Sequence, residues 1–300
     1  MRPNCLIIGY GDIARRVARL LLQRGDDFTV VGRKGSLDGE FLSAQTMLQA
    51  DLDLPRTLCT LPTSTARILY LAPPPSSGQT DSRVHSFCDE LTRRLPARPD
   101  RIVYVSTSGV YGDCAGDSVD ETRPVNPQTD RAHRRVEAEN ILRQWGALHQ
   151  VPIVILRVAG IYGLGRLPLQ RLQDGMPVLL PEQSPFSNRI HSDDLARICL
   201  AALDRVEAQG VYNVCDGEGG RMSDYFLAVA KIFNLPEPTR ITLQEAKQQF
   251  TSEMLSFLGE SRRLDNRRLL EGLKVDLLYP TLGSGLESIR QQGEDPPDNR

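Results

Sequence analysis

Apolar residues in the first two-thirds of the chain fall into short runs separated by stretches of helical periodicity. Asn4 to Ile8 is one such run, and it ends at Gly9. From Ile13 the apolar positions recur at Val17, Leu20 and Leu21, the spacing of a helix with one stripe facing a sheet. Arg15, Arg16, Arg19 and Arg24 occupy its other side and read as a solvated face. Gly25-Asp26-Asp27 stops this helix, Phe28 to Val31 forms the next strand, and Gly32-Arg33-Lys34-Gly35 is its exit loop. The alternation continues with a strand at Arg67 to Ala72, a Pro73-Pro74-Pro75 loop and a helix over 82–95. A strand at Arg101 to Ser106, a long polar helix from Thr129 to His149 and a strand at Pro152 to Arg157 follow. Strands alternating with helices predict an α/β fold, a doubly wound parallel sheet with right-handed crossovers. Ligands then bind beyond the carboxyl ends of the strands, where Gly9, Arg33, Leu71-Ala72-Pro73, Ser106 and Arg157-Val158 lie.

After Gly163 the pattern loosens. Prolines and glycines punctuate 163–190, a helix is expected over 193–208, and Val211 to Val214 has the composition of a strand that rejoins the sheet. The expected organisation is a nucleotide-binding unit over 1–163, with return segments near 189–216. A smaller substrate-binding lobe over 164–290 and a disordered tail over 291–300 complete it.

The turn between the first strand and first helix reads Gly9-Tyr10-Gly11-Asp12-Ile13-Ala14, a GxGxxA. The first glycine permits the tight turn, the second lets the backbone approach a pyrophosphate, and the small Ala14 lets helix and strand pack closely. Phosphates then sit at the helix N-terminus, where free N–H groups favour anions. In this context the turn makes the sheet a Rossmann sheet and assigns Gly9, Gly11, Asp12 and Ile13 to a dinucleotide. The end of the second strand selects which one. NAD calls for an acid there to bond the ribose 2′-hydroxyl. This chain has Arg33 and Lys34, with no acid until Asp38, which suits the 2′-phosphate of NADP; NAD is the alternative. Asp51, beside Leu52, either accepts from the adenine amino group or caps a loop turn.

Composition removes several classes. A net charge of -2 gives no electrostatic footprint for nucleic acid. No run has the length of a membrane helix, and no secretory leader precedes the first strand, so a cytoplasmic protein is expected. The cysteines Cys5, Cys59, Cys88, Cys114, Cys199 and Cys215 show no CxxC spacing, and the histidines no HExxH, so no metal site is indicated.

Further along, Ser106-Thr107-Ser108-Gly109-Val110-Tyr111-Gly112 is a recognisable signature. So are Leu156-Arg157-Val158-Ala159-Gly160-Ile161-Tyr162-Gly163 and Asn188-Arg189-Ile190-His191-Ser192-Asp193-Asp194-Leu195. With the glycine turn and Asp51-Leu52, these make the chain resemble the extended short-chain dehydrogenase/reductases, the NAD-dependent epimerase/dehydratase family, over residues 4–235. The resemblance implies that Thr107 polarises a substrate carbonyl or hydroxyl. It also implies a tyrosine acting as acid and base, and a lysine four residues later that lowers the tyrosine pKa and holds the nicotinamide ribose. Here the chain departs from the pattern. Aligned on Glu139, Arg135 takes the lysine position and Arg131 the tyrosine position, and no tyrosine occurs between Tyr111 and Tyr162. Arginine stays protonated and cannot be the acid/base. Arg135 either holds ribose or phosphate oxygens or is solvated.

Substitute proton donors are Tyr111, His133 and His191, each with a structural alternative: packing, exposure, or a bond to the Asp193-Asp194 turn. Arg166, Arg171 and Arg189 flank the expected substrate loop, as a clamp for a carboxylate or phosphate or as surface charge. Two functions stay open. One is an NADP-linked oxidoreductase or epimerase acting on a small molecule such as a sugar nucleotide. The other is a non-catalytic NADP-binding sensor or scaffold. The resemblance also implies a homodimer face on the helices over 82–95 and 129–149.

Overall fold

Period-two burial decides the central architecture. The computed structural model describes residues 4–33, 46–62 and 67–293; Lys34 and most of the expected tail, 294–300, lie outside them. The strands β1 (Cys5–Ile8), β2 (Phe28–Gly32), β3 (Thr46–Gln49), β4 (Arg67–Tyr70), β5 (Arg101–Thr107), β6 (Ile153–Val158) and β7 (Gly210–Val214) form one sheet. Its order is β7-β6-β5-β4-β1-β2-β3, with every pairing parallel. The helices are α1 (Asp12–Gln23), α2 (Ser82–Arg93), α3 (Asp130–His149), α4 (Leu169–Gln173), α5 (Ser192–Asp204) and α6 (Met222–Ile232). Further on come α7 (Leu243–Gln249), α8 (Ser252–Leu258), α9 (Arg267–Leu273) and α10 (Leu282–Gln291).

Successive side chains of a strand point to opposite faces. Cys5, Ile7, Leu69, Val103, Val154 and Leu156 therefore bury against Val17 and Leu21 of α1 and Leu195, Ile198 and Leu203 of α5. Leu6, Ile8, Ile68, Tyr70, Ile102, Tyr104, Ile153 and Ile155 bury against Phe87 and Leu91 of α2 and Ala138, Leu142 and Trp145 of α3. Covering both faces explains why these strands read as unbroken apolar runs rather than alternating ones. The sequence missed β3: Thr46-Met47-Leu48-Gln49 has no apolar run, and only its pairing with β2 makes it a strand. Strand β4 stops at Tyr70, short of the expected Ala72, and α5 stops at Asp204, because Arg205 turns to extended backbone.

Beyond β6 four short pairings bring distant segments to the carboxyl edge of the sheet. Gly160–Tyr162 pairs with Arg189–His191, and Phe186–Ser187 with Gly220–Arg221. Val178–Leu179 pairs with Arg240–Ile241, and Ser118–Val119 with Arg263–Leu264. A separate apolar cluster, with Leu172, Val229, Phe233, Leu286 and Ile289, binds α4, α6 and α10 together.

One buried ion pair fastens α3 to the sheet. Arg157 at the end of β6 donates from Nη2 to Glu139 Oε2 at 2.7 Å, and from Nε to both carboxylate oxygens at 3.2 and 3.3 Å. Ser106 Oγ of β5 donates to Glu139 Oε1 at 2.7 Å. Both charges are buried, so the pair holds by geometry and by the further bonds that Ser106 and, at 3.2 Å, Arg143 Nη2 give the same carboxylate. Glu139→Ala leaves the Arg157 guanidinium buried without its counter-ion. It is expected to lower unfolding free energy by about 3–5 kcal/mol in urea titrations, with Glu139→Gln losing less. A loss within the range of surface substitutions would refute this role.

Candidate active site

At the carboxyl ends of β1, β2 and β4 lies a cavity of about 900 Å³. Gly9, Gly11, Arg33, Asp51, Leu52, Leu71, Ala72 and Pro73 all line it. The two glycines do different work. Gly9 has φ +95°, and a Cβ there would sit 2.8 Å from the Ala72 backbone nitrogen, so the turn closes only without a side chain. Gly11 has nothing within 4 Å of where its Cβ would be; the space beside it is open. It caps α1 without a side-chain acceptor, which leaves the first-turn N–H groups for an anion. This geometry fits the pyrophosphate of a dinucleotide.

Ala14 is fully packed under the turn, and Ile13 is core rather than lining. Asp12 turns to Arg16, at 3.0 Å, and to Arg166, at 2.7 Å. Burial alone would raise its carboxyl pKa, but the hydrogen bond from Arg166 and the charge of Arg16 hold it below the usual value. Arg33 is exposed at the end of β2, and Arg15 and Arg83 line the same cavity. Arg83 grips Asp53 with two bonds, 2.7 and 2.6 Å, and donates to the Pro73 carbonyl at 2.8 Å. Asp51 caps a turn, its Oδ1 accepting from the Asp53 N–H at 3.0 Å, while it also faces the cavity.

A second cavity, about 380 Å³, lies beyond β5 and β6. Pro73 lines the first and Pro74 the second, so the two meet across the proline loop. Thr107, Arg135 and Arg189 come together here with Arg131, Glu260 and Arg262. Thr107 Oγ1 accepts from the Gly109 N–H at 3.3 Å. A methyl group on Gly109 would stand 3.6 Å from Thr107 Oγ1 and 4.0 Å from Glu260 Oε2, so both oxygens face one point. Arg262 Nη1 holds that carboxylate at 2.8 Å and also donates to the Gly112 carbonyl at 2.7 Å. The neighbouring Ser261 N–H donates to Asp113 Oδ1 at 2.9 Å, which pins the segment to the loop after β5. Arg135 Nη1 donates to the Tyr104 hydroxyl at 2.9 Å and the Val105 carbonyl at 3.0 Å.

Other candidates from the sequence lie elsewhere. Tyr111 does not reach either cavity. It is buried, its ring lies under the Arg157 guanidinium at 4.7 Å, and its hydroxyl donates to Asn213 Oδ1 at 2.8 Å. Burial raises its pKa, so the expectation of Tyr111 as proton shuttle is set aside. His191 is also buried: its Nδ1 accepts from the Asp193 N–H at 3.2 Å and caps α5, and burial lowers its pKa. It contacts the Tyr162 and Tyr279 rings rather than a cavity. Ser106 is spent on Glu139, Val158 is core, His133 lines neither cavity, Arg166 is paired with Asp12, and Arg171 is exposed on α4.

Neither Glu260 nor Arg262 carries a motif that marks it in the sequence. They lie some 150 residues from Gly112, and the pairing of Arg263–Leu264 with Ser118–Val119 is what delivers them.

The arrangement matches a known family. The model of the NAD-dependent epimerase/dehydratase family matches residues 5–215. The chain belongs to that family. Protein YeeZ of Escherichia coli K12 is 27% identical over 287 residues, spanning 91% of this chain and 95% of YeeZ. A functionally unknown conserved protein from Silicibacter pomeroyi has a solved structure with TM-score 0.79 and 30% identity. The match covers 97% of this chain and 99% of that one. The human epimerase family protein SDR39U1, solved with NADPH, shares the fold at TM-score 0.73 and 20% identity, over 96% and 99% of the two chains. Among the described residues of this epimerase/dehydratase family member, no helix is long and apolar enough to cross a membrane.

One buried carboxylate beyond the end of β7 carries a titration of its own. Asp216 follows β7, and its N–H donates to the Arg189 carbonyl at 2.8 Å. Its Oδ1 accepts from the Glu218 N–H at 3.0 Å, whereas Oδ2 has no partner among the described residues. Burial pushes its carboxyl from 3.8 up to about 7. A folded-state pKa above the unfolded one means the native state binds more protons between those values, so stability falls as pH rises from about 4 to about 7. Asp216→Asn is expected to flatten that slope and to stabilise the chain above pH 7 in denaturant titrations. An unchanged slope would contradict the assignment.

Proposed function

We propose that the chain is an NADP-linked oxidoreductase or epimerase acting on a hydroxyl or carbonyl of a small molecule, a sugar nucleotide being one class. One observation carries the reading: the cavity at Thr107 is open, about 380 Å³, and adjoins the glycine-turn cavity. A dinucleotide sensor that had abandoned chemistry has no need of that space.

Gly9, Gly11, Leu71, Ala72 and Pro73 would hold the dinucleotide, and Arg33 would meet the 2′-phosphate. The cofactor supplies reversible hydride exchange at this site. Thr107 orients the substrate oxygen. Glu260 is the carboxylate among the residues lining the second cavity, and it takes or returns the proton at that oxygen. The arginines around it favour the oxygen's developing negative charge.

NADPH oxidation screened against keto-sugars and small ketones tests this reading. Thr107→Ala is expected to lower kcat/KM by about 10²-fold, and Glu260→Gln by about 10²–10⁴-fold. Intact NADPH binding with no turnover on any substrate would leave the sensor. Arg33→Asp is expected to weaken NADPH far more than NADH in binding titrations; equal losses would refute the assignment of the 2′-phosphate.

A further inference from the structure

Three guanidinium groups converge on the smaller cavity without an acid to meet them. Arg131 and Arg135 stand one turn apart on α3, and Arg189 comes from the short strand after Asn188. The fourth cation, Arg262, is neutralised by Glu260. Among the described residues, neither Arg131, Arg135 nor Arg189 forms an ion pair. Arg131 donates to the Ser256 hydroxyl at 3.1 Å and lies 4.0 Å over the Phe257 ring. Arg135 is held by the Tyr104 hydroxyl and the Val105 carbonyl. Arg189 donates to the Asn188 carbonyl at 3.1 Å and lies 4.4 Å over the Tyr225 ring. Every one of these partners is neutral, and together they use only part of each guanidinium's five donors.

Several other half-buried or buried arginines meet acids: Arg16 has Asp12, Arg83 has Asp53, Arg94 has Glu90, and Arg157 has Glu139, while the buried Arg101 and Arg134 donate to backbone carbonyls rather than face a cavity. Partly desolvated cations without a counter-charge are costly. Burial lowers the pKa of Arg189, and the more distant charge of Asp216, which forms no ion pair with it, offsets only part of that cost. The positions are also built. Aromatic faces from α8 and α6 support the Arg131 and Arg189 planes, and Gly160 clears space for Arg189: a Cβ there would lie 2.7 Å from Arg189 Nη1. The dinucleotide phosphates do not account for the charge, because their cradle is at Gly11, on the far side of the proline loop.

We propose that the smaller cavity binds an oxyanion, a carboxylate or phosphate group, on Arg131, Arg135 and Arg189. Taken together with the proposed function, on which this step rests, the oxyanion belongs to the substrate, and its reacting oxygen lies beside Thr107. The α3 face that the resemblance reserves for a tyrosine and lysine thus holds an anion clamp, and the proton passes to Glu260 from a different segment.

The purified full chain is titrated by calorimetry with inorganic phosphate, with malonate and with glucose. Phosphate or malonate is expected to bind saturably and to raise Tm, and glucose to do neither. The tighter of the two anions identifies the group. Arg131→Gln and Arg189→Gln are each expected to weaken that anion by about 10- to 100-fold, with NADPH affinity unchanged. Arg240→Gln, on an exposed pair with Glu237, is expected to leave both ligands untouched. No saturable anion binding, equal binding of glucose, or full anion affinity in the Arg131 variant would overturn the proposal. Should Arg189→Gln fail to fold, the half-buried Arg131 decides alone. Anion binding that persists while NADPH does not bind would refute the proposed function and leave the oxyanion site standing.

Discussion

The carboxylate of Glu139 is the constraint on which the rest of the site depends. It sits between α3, β5 and β6, and it receives Ser106 from one strand and Arg157 from the next. Arg157 in turn lies over Tyr111, whose hydroxyl reaches Asn213 of β7, and Asn213 Nδ2 bonds the carbonyls of Val119 and Asp265. A continuous path thereby runs from the polar helix, through the sheet edge, to the segment that carries Glu260 and Arg262. The orientation of α3 fixes where Arg131 and Arg135 point. Desolvating two charges at the centre of this path is expensive, and the carboxylate offsets it by accepting from Arg157, Ser106 and Arg143 together. Once the pair is in place, the helix has one register against the sheet.

Much of the fold was legible because it is governed by periodicity. The apolar runs at Cys5–Ile8, Phe28–Gly32 and Ile153–Val158 are buried on both faces and announce themselves by composition alone. The glycine turn was legible for a similar reason: backbone conformation at Gly9 and bare space at Gly11 demand a residue type. What the sequence could not show was long-range. Strand β3 is defined by its neighbour rather than by its own residues. Tyr111 and His191 occur in segments that resemble catalytic ones, yet Tyr111 spends its hydroxyl, and His191 its Nδ1, on a structural bond. Their sequence context cannot reveal that Asn213 or the α5 cap has claimed them. Glu260 was invisible for the converse reason. Nothing around it is distinctive, and only the pairing of Arg263–Leu264 with Ser118–Val119 carries it to Thr107.

In the proposed function, arginines at the two α3 positions where the resemblance implies a tyrosine and a lysine change the division of labour at the site rather than emptying it. The helix then supplies charge, held in place by Phe257 and Tyr104. The proposed proton carrier, Glu260, comes from the far side of the cavity, on a segment whose position is set by Arg262 and Asp113.

The two glycines of the first turn answer to separate pressures. Gly9 is required by the protein's own backbone, since any side chain there would press into the strand end at Ala72. Gly11 touches nothing in the chain, so only a bound molecule can penalise a side chain at that position. A side chain at position 9 would therefore be paid for by the folded chain itself, whereas one at position 11 would be felt by whatever occupies the open space beside it.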